Sequence, residues 1–394
     1  MQIHFTKSLY KFKEVKVTNS WFSEKGFTVL LEEKQDTCEC PECKNLTSKI
    51  HDLKRQYIKD VPLQCGTPTT IILKKIRYEC KNCGHTFYRN FEFLPKNYSI
   101  TNRLIAYIWY LLKKNITMKT IAEFCCVSVN VVSRILALFS TDATSLPTVF
   151  SIDEFKGNSG GNKYNAIIVD GDKYKIMDVL PSRKLSDLRN YIKSFSQEER
   201  DKVKFFICDM YQPYINLAKV YFKNATIIID RFHIVKQVEK ALDDVRIRFQ
   251  RSLPPKESLI LKHSKLILSS RKSNVTDSKK LEKLFFILAN CPEDLRLTYI
   301  FKERLIDIIH SNEPFITKKK LLADWIFEAQ CTNIPELTIC ANTYHHFFKE
   351  ICNSFKNPYS NGVTEGLNNK IKSLKRTFFG MPNFDNFRTR ILLA

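Results

Sequence analysis

The sequence predicts an α/β core carrying a large all-α insertion and preceded by two small N-terminal modules. Three observations predict it. Residues 149–230 read as three strand-like runs followed by alternating helix-like and strand-like runs. Residues 231–350 hold almost no strand signal but many Leu, Lys and Phe at helical spacing. Ahead of both stand two Cys-x-x-Cys pairs and a short helical region. At roughly 150 residues per domain, 394 residues allow two or three domains.

Composition narrows the class. Hydrophobic residues make up 44% and aromatics 12%, which excludes wholesale disorder. There are 63 Lys and Arg against 41 Asp and Glu, a net charge of +22. A chain this basic seeks a polyanion, with nucleic acid first, although an acidic substrate or a membrane surface satisfies charge alone. Thirteen Cys, an odd number over a long chain, do not fit a secreted disulfide framework. The start, Met1 to Tyr10, lacks the apolar centre of a signal peptide. The longest apolar run, Leu104–Leu112, is shorter than the ~20 residues a bilayer needs. A reduced, cytoplasmic protein with no membrane contact is expected.

Residues 1–95 form the first expected module. Val15–Val17, Phe27–Leu31 and Thr69–Tyr78 are β-like. Cys40 and Cys43, then Cys80 and Cys83, form two knuckles with Pro41 and Gly84 beside them. Four thiolates so paired suit tetrahedral Zn2+ in a zinc ribbon, where the metal folds a module too small for its own core. Cys38, Cys65 and His85 are near enough in sequence to substitute as ligands. Four ordinary reduced cysteines are the bland alternative.

Residues 96–145 are expected to form a helix-turn-helix. Ile100–Lys113 is helical in length, Thr117 can cap Met118–Phe124, and Ser128 can cap Val129–Phe139. The last helix would offer Asn130, Ser133 and Arg134 to DNA, since Asn and Arg read base edges well. Three helices that pack together without touching DNA remain the alternative. Thr141–Pro147 reads as a linker.

The core occupies residues 146–230. Its strands are Val149–Phe155, Tyr164–Asp170, Tyr174–Leu180, Lys202–Cys208 and Ala225–Ile229, with helices at Ser186–Phe195, capped by Ser186, and Pro213–Phe222. Asp153 interrupts an apolar strand and Asp209 ends another. A carboxylate within the first strand and one at the end of the fourth are what an RNase H-like fold brings together. A third acid should come from a later helix, and Glu365 is the best placed, with Asn361 as that helix's cap. Three carboxylates suit two Mg2+ (or Mn2+) ions ~3.5–4 Å apart for phosphodiester chemistry. Lys370, Lys372, Lys375 and Arg376 follow at spacing that can face a phosphate backbone, or simply water. Asp170 and Asp172 flank Gly171 in a hairpin turn, and Asp178 is expected on an exposed face. Asp230 either caps the next helix or, with His233, supports the metal pocket. Residues 231–350 form the helical insertion, and residues 351–394 are expected to complete the core with a final helix and basic tail.

In this order the parts resemble the bacterial insertion-sequence transposases of the ISL-three family, one of the DDE transposases. The resemblance spans essentially the whole chain. It rests on the paired Cys followed by helix-turn-helix, on Ser151–Phe155, Cys208–Tyr211 and Asp230–His233, and above all on Ser360–Gly366 with its basic follow-on. It implies Asp153, Asp209 and Glu365 as the catalytic acids, with a helical insertion between the second and third. It also implies N-terminal modules that bind the element's terminal inverted repeats, cleavage followed by strand transfer into double-stranded target DNA, and a homodimer or larger synaptic assembly near the nucleoid. A structure-specific nuclease on the same fold, or a non-catalytic DNA-binding regulator, are the rivals. The charge is partitioned accordingly: residues 150–230 carry 13 basic and 11 acidic residues, leaving the excess to the flanks.

Overall fold

The computed structural model describes residues 8–10, 12–139, 143–357, 359, 362–378, 381 and 383–394, and the side chains of residues 65, 257 and 362–365 lie outside that description. The chain divides into two compact units, Met1–Thr141 with Lys372–Ala394, and Asp142–Ile371.

In the first unit, β1 (Val15–Ser23) and β2 (Gly26–Glu33) form a hairpin. β3 (Cys38–Glu39) and β4 (Leu46–Thr47) make a separate two-stranded ribbon. β5 (Ile50–Leu63), β6 (Thr67–Glu79) and β7 (Thr86–Tyr88) complete a sheet in the order β1-β2-β6-β5, with β7 also on β6. Only β2 and β6 run parallel. β5 has no counterpart in the sequence expectations. Its first half is exposed on both faces, with Leu53 70% and Tyr57 63% accessible. It is held by pairing along β6 rather than by a buried face, so it leaves no apolar alternation to read. Asp60, at its far end, is buried beneath Arg103, with Tyr10 and Thr101 hydroxyls donating to its carboxylate at 2.9 and 2.6 Å.

Three helices follow: α1 (Asn102–Leu112), α2 (Met118–Phe124) and α3 (Val129–Ala137). Thr101 and Thr117 cap the first two through their side chains, whereas Ser128 sits at the third N-cap without a side-chain hydrogen bond. α2 and α3 meet at 111°, and Cys126 takes φ +52° in the turn between them. Leu104, Ile108, Ile121, Val132 and Ile135 form the bundle's buried interior.

The second unit is built on β8 (Val149–Phe155), β9 (Asn165–Asp170), β10 (Lys175–Leu180), β11 (Phe205–Cys208) and β12 (Thr226–Ile229). Their order is β10-β9-β8-β11-β12. The first three form an antiparallel meander, and β11 pairs in parallel with both β8 and β12. Helices α4 (Leu185–Lys193), α5 (Gln197–Asp201) and α6 (Gln212–Tyr221) supply the crossovers. Ser186 lies inside α4 rather than capping it, because Lys184 is the N-cap. Asp178, expected to be exposed, is 2% accessible; the register of β10 shifts between Ile176 and Asp178, turning it inward, where its Oδ1 accepts from the Val179 amide. Phe150, Phe206 and Phe222 pack with ring centroids 5.2–5.6 Å apart and clamp β8 to β11.

The insertion is helical throughout its described length: α7 (Arg231–Ser252), α8 (Pro255–Lys262), α9 (Lys265–Ser269), α10 (Ser278–Asn290), α11 (Glu293–His310), α12 (Phe315–Cys331), α13 (Pro335–His346) and α14 (Phe348–Lys356). It shares one hydrophobic core with the sheet. Within it Trp325 is fully buried and donates from Nε1 to Phe301 O, and the Tyr344 hydroxyl donates to Ile234 O. α15 (Gly362–Thr377) and α16 (Phe384–Leu393) end the chain. α16 corrects the grouping of residues 351–394 with the core, since it packs on α3 of the first unit. Met381 and Leu393 pack against the bundle's buried interior, and Arg390, 1% accessible, donates from Nη2 to the carbonyls of Lys114 and Ile116 while lying over Phe378. Among the described residues no single helix is long and apolar enough to cross a membrane.

Candidate active site and metal centres

Strand register brings the acids together. Ile207 of β11 lies opposite Ser151 of β8, so two residues further on Asp209 stands level with Asp153. Cys208 lies opposite Ile229 of β12, which sets Asp230 beside Asp209. The carboxyl ends of parallel strands are where such sheets open a crevice. Asp230 is buried and caps α7, its Oδ1 accepting from the Phe232 amide at 3.4 Å. The capped first turn carries His233 to the acids. One ligand atom each from Asp153, Asp209 and His233 lie within 4.8 Å of one another.

Burial and neighbouring charge set the electrostatics of this cluster. Burial, and then the Asp209 charge, push the Asp153 carboxyl up to about 6. Burial alone would lower His233, but the Asp209 carboxylate outweighs it and the net shift is upward. His233 Nε2 is 3.0 Å from Asp209 Oδ1, yet no hydrogen bond of good geometry reaches that buried oxygen. A buried carboxylate oxygen without a donor is costly unless a metal satisfies it. Two carboxylates and an imidazole make a donor set suited to a divalent ion, and this cluster fits one.

Asn368 of α15 was not singled out in the sequence. It is 6% accessible, its Nδ2 donates to Asp153 Oδ2 at 2.6 Å, and its Oδ1 is buried without a partner. The available signal was its place one helical turn beyond Glu365. Residue Asn361 and the side chain of Glu365 lie outside the described residues. Beside the acids opens a cleft of about 870 Å³. On its wall Glu154 accepts from Tyr214 Oη at 2.6 Å and from Arg183 at 2.8 Å, a second arrangement the sequence did not announce.

The four cysteines converge in the first unit. The Sγ atoms of Cys40, Cys43, Cys80 and Cys83 lie within 4.8 Å of one another, with Cys40 to Cys83 at 3.6 Å and Cys43 to Cys80 at 3.4 Å. Tetrahedral Zn–S bonds of ~2.3 Å imply S···S separations of ~3.8 Å, so the set fits zinc. The two knuckles are built alike: Lys44 N donates to Cys40 O and Gly84 N to Cys80 O, with Lys44 and Gly84 both at positive φ. The Asn45 backbone amide lowers the Cys43 thiol, while burial and the neighbouring thiols raise that of Cys83, as expected where four thiols crowd together. Cys38 and His85 are outside the cluster. Arg89 donates to Cys38 Sγ, and His85 stacks on Phe87.

Of the residues expected to meet DNA, Asn130 and Arg134 are exposed on α3. Ser133, expected to face outward, is half-buried and accepts from Asn386 of α16 at 3.2 Å. Lys370, Lys372 and Arg376 are exposed on α15 and Lys375 is half-buried.

Comparison with known proteins agrees with this geometry. Residues 150–391 match a family model described as a transposase of the ISL3 DDE type. Residues 36–83, which hold all four clustered cysteines, match the zinc finger of transposases IS204, IS1001, IS1096 and IS1165. The transposase for insertion sequence element IS1001 of Bordetella parapertussis is 21% identical over 365 residues, spanning 90% of this chain and 88% of that one. A shorter match, 41% identical over 71 residues, is to a protein of Lactococcus lactis subsp. lactis named as an ATP-dependent protease, and covers 17% of this chain and 23% of that one. The chain belongs to the ISL3 (ISL-three) family of DDE insertion-sequence transposases.

Proposed function

We propose that the second unit is an RNase H-like catalytic core in which Asp153, Asp209 and Glu365 are the DDE acids, and that it cleaves and joins DNA with Mg2+ (or Mn2+). The observation that carries this is the convergence within 4.8 Å of Asp153 on β8, Asp209 just past the parallel strand β11 and His233 in the first turn of α7. The meander followed by parallel strands supports the fold. Glu365 stands one turn before Asn368, which itself touches Asp153.

When bound, divalent ions would polarise the scissile phosphate and stabilise the oxygen that leaves it. The chain's part is positional. Asn368 holds one oxygen of Asp153, and the Glu154 backbone amide donates to the other at 2.6 Å. His233 lies against Asp209 and contributes the third donor. In the first step water attacks the phosphorus at the element's end, a P–O bond forms and the P–O3′ bond breaks, freeing a 3′-hydroxyl. In the second that hydroxyl attacks a target phosphate, and again one P–O bond replaces another. No redox partner is needed.

The first unit is proposed to bind the terminal inverted repeats. Its zinc ribbon and its α1–α3 bundle, read as a helix-turn-helix, are supported by the four-thiol cluster and by the 111° crossing of α2 and α3. Asn130 and Arg134 are the base-reading candidates, with Ser133 anchoring α16. Lys370, Lys372, Lys375 and Arg376 are proposed phosphate contacts, which position without reading sequence. Two DNA ends must be joined to one target, so a dimer or higher synaptic assembly is proposed, at the nucleoid.

The test is single replacement of Asp153, Asp209 and Glu365 by Ala, with strand transfer assayed on DNA carrying the element's ends. Each should lose activity by at least ~100-fold. A variant that still joins DNA at the parent rate removes its residue from the site. Cut ends without joined product in the parent would favour a nuclease.

A further inference from the structure

The cleft beside the acids has a wall made by the insertion. α7 leaves the acids at His233 and presents Lys236 and Lys240 on the same face, three and seven residues on. At 1.5 Å per residue they lie ~4.5 and ~10.5 Å further along the helix axis. Both are exposed, and Lys236 rests over the exposed ring of Phe232, with Nζ 5.6 Å from its centroid. Lys184, exposed at the start of α4, lines the same cleft.

The charges around these three lysines are already balanced. Arg183 is paired with Glu154 at 2.8 Å. Lys265 is paired with Asp243 at 2.7 Å, and Arg246 closes on the same carboxylate at 2.6 Å. Glu239, half-buried, lines the same cleft within electrostatic reach of Lys236. Lys184, Lys236 and Lys240 nevertheless have no ion pair among the described residues, so their ammonium groups stay available to a phosphate beside the acid cluster. Lysine is a compact cation on a flexible stem, suited to phosphate oxygens as a point charge.

From this arrangement we infer that α7 is a phosphodiester-binding track: Lys236 and Lys240, with Lys184 also lining the cleft, hold the backbone of the DNA strand adjoining the scissile phosphate. The insertion is then part of the substrate site and not a spacer between Asp209 and Glu365. The inference rests on the reading of Asp153 and Asp209 as the cutting site.

The experiment uses the full chain and a fluorescein-labelled DNA duplex of mixed sequence, with binding measured across a salt series. Replacing Lys236 and Lys240 by Gln removes two phosphate contacts at ~0.9 counterions each, so the slope of log K against log salt should fall by about 2. The corresponding Glu pair should bind at least ~10-fold more weakly than the parent at low salt. The same exchange at Lys279 and Lys280, exposed on α10, should leave the slope as it was. The Mn2+-induced rise in melting temperature should be unchanged in the Lys236→Gln/Lys240→Gln protein, which shows that the acid cluster is intact. An unchanged slope in that protein, or an equal fall in the Lys279/Lys280 control, overturns the inference. A parent chain that binds the duplex but neither cuts nor joins element ends would instead defeat the catalytic reading, and the salt slope would still be readable.

Discussion

Asn368 and Asp153, 215 positions apart in sequence, are joined by a 2.6 Å hydrogen bond from the amide Nδ2 to the carboxylate Oδ2. The bond fixes one acid oxygen, and the Glu154 backbone amide donates to the other at 2.6 Å. Groups that orient a metal ligand are typically worth ~10–100-fold in affinity or activity. Asn368→Ala should lose activity in that range, with its Mn2+ requirement shifted to higher concentration. Asn368→Asp, which sets a second carboxylate against Asp153, should lose more. If Asn368→Ala cuts DNA at the parent's Mn2+ midpoint, the bond has no functional role.

The raised Asp153 carboxyl predicts a stability change with a definite sign. A folded-state value of about 6, above the ordinary 3.8, means the folded protein holds this proton more tightly than the unfolded chain. The stabilising contribution is therefore complete below about pH 4 and is lost as pH rises through about 6. Asp153→Asn, which carries no charge at any pH, should melt above the parent at pH 8 without metal, by about 2 kcal/mol in stability. The two should coincide at pH 4. Added Mn2+ should raise the parent's melting temperature and leave the variant's unchanged. Equal melting of both at pH 8 in chelator would show that the buried charge carries no penalty.

The cysteine cluster should make the small knuckle region depend on its metal. Chelation of zinc, or Cys40→Ser, should expose residues 36–90 to protease while the second unit keeps its fold, because the buried residues around the thiols are few: Ile76, Tyr78 and Phe87 with Cys38. The measurement is limited proteolysis with mass mapping, alongside zinc content near one ion per chain. Cleavage sites distributed equally through both units would contradict it.

Asp60 ties β5 to α1 through Arg103, Thr101 and Tyr10. Burial raises this carboxyl, but Arg103 and the Thr101 hydroxyl outweigh burial, so it sits below its ordinary value. Its contribution to stability is present above the unfolded carboxyl value and is lost as pH falls through the folded one. Asp60→Ala leaves Arg103 half-buried without its partner and should cost about 3 kcal/mol. Thermal melting at pH 7 checks this, and the deficit should shrink under strongly acidic conditions. No deficit at pH 7 would show that Arg103 finds another partner.

Much of this architecture is legible in the chain itself. Val149–Phe155 is apolar except for its acids and must be a buried strand. The Gly-containing turns that follow make a meander, and the alternation after it demands parallel crossovers. Each Cys-x-x-Cys declares its own knuckle by spacing, because it closes on itself through local backbone hydrogen bonds, while the meeting of the two knuckles is a long-range contact. These features rest on interactions between near neighbours, which sequence displays directly.

What tertiary structure decided concerns contacts between distant residues. His233 could have been a helix residue of no consequence; the register of β11 and β12 and the Asp230 cap place it on Asp209. Asn368 acquires its place only from Asp153, which it contacts across 215 positions of sequence. The first half of β5 is exposed, apolar Leu53 and Tyr57 included, and is held because β6 offers it a ladder. α16 docks on the three-helix bundle through Leu393, and the buried Arg390 meets two backbone carbonyls of the turn before α2 through Nη2 alone. The sequence by itself determined the elements, the zinc knuckles and the pair of strand-borne acids. The folded chain decided what His233 and Asn368 touch and which unit owns the last helix, because each depends on a partner more than 20 positions away that no local pattern records.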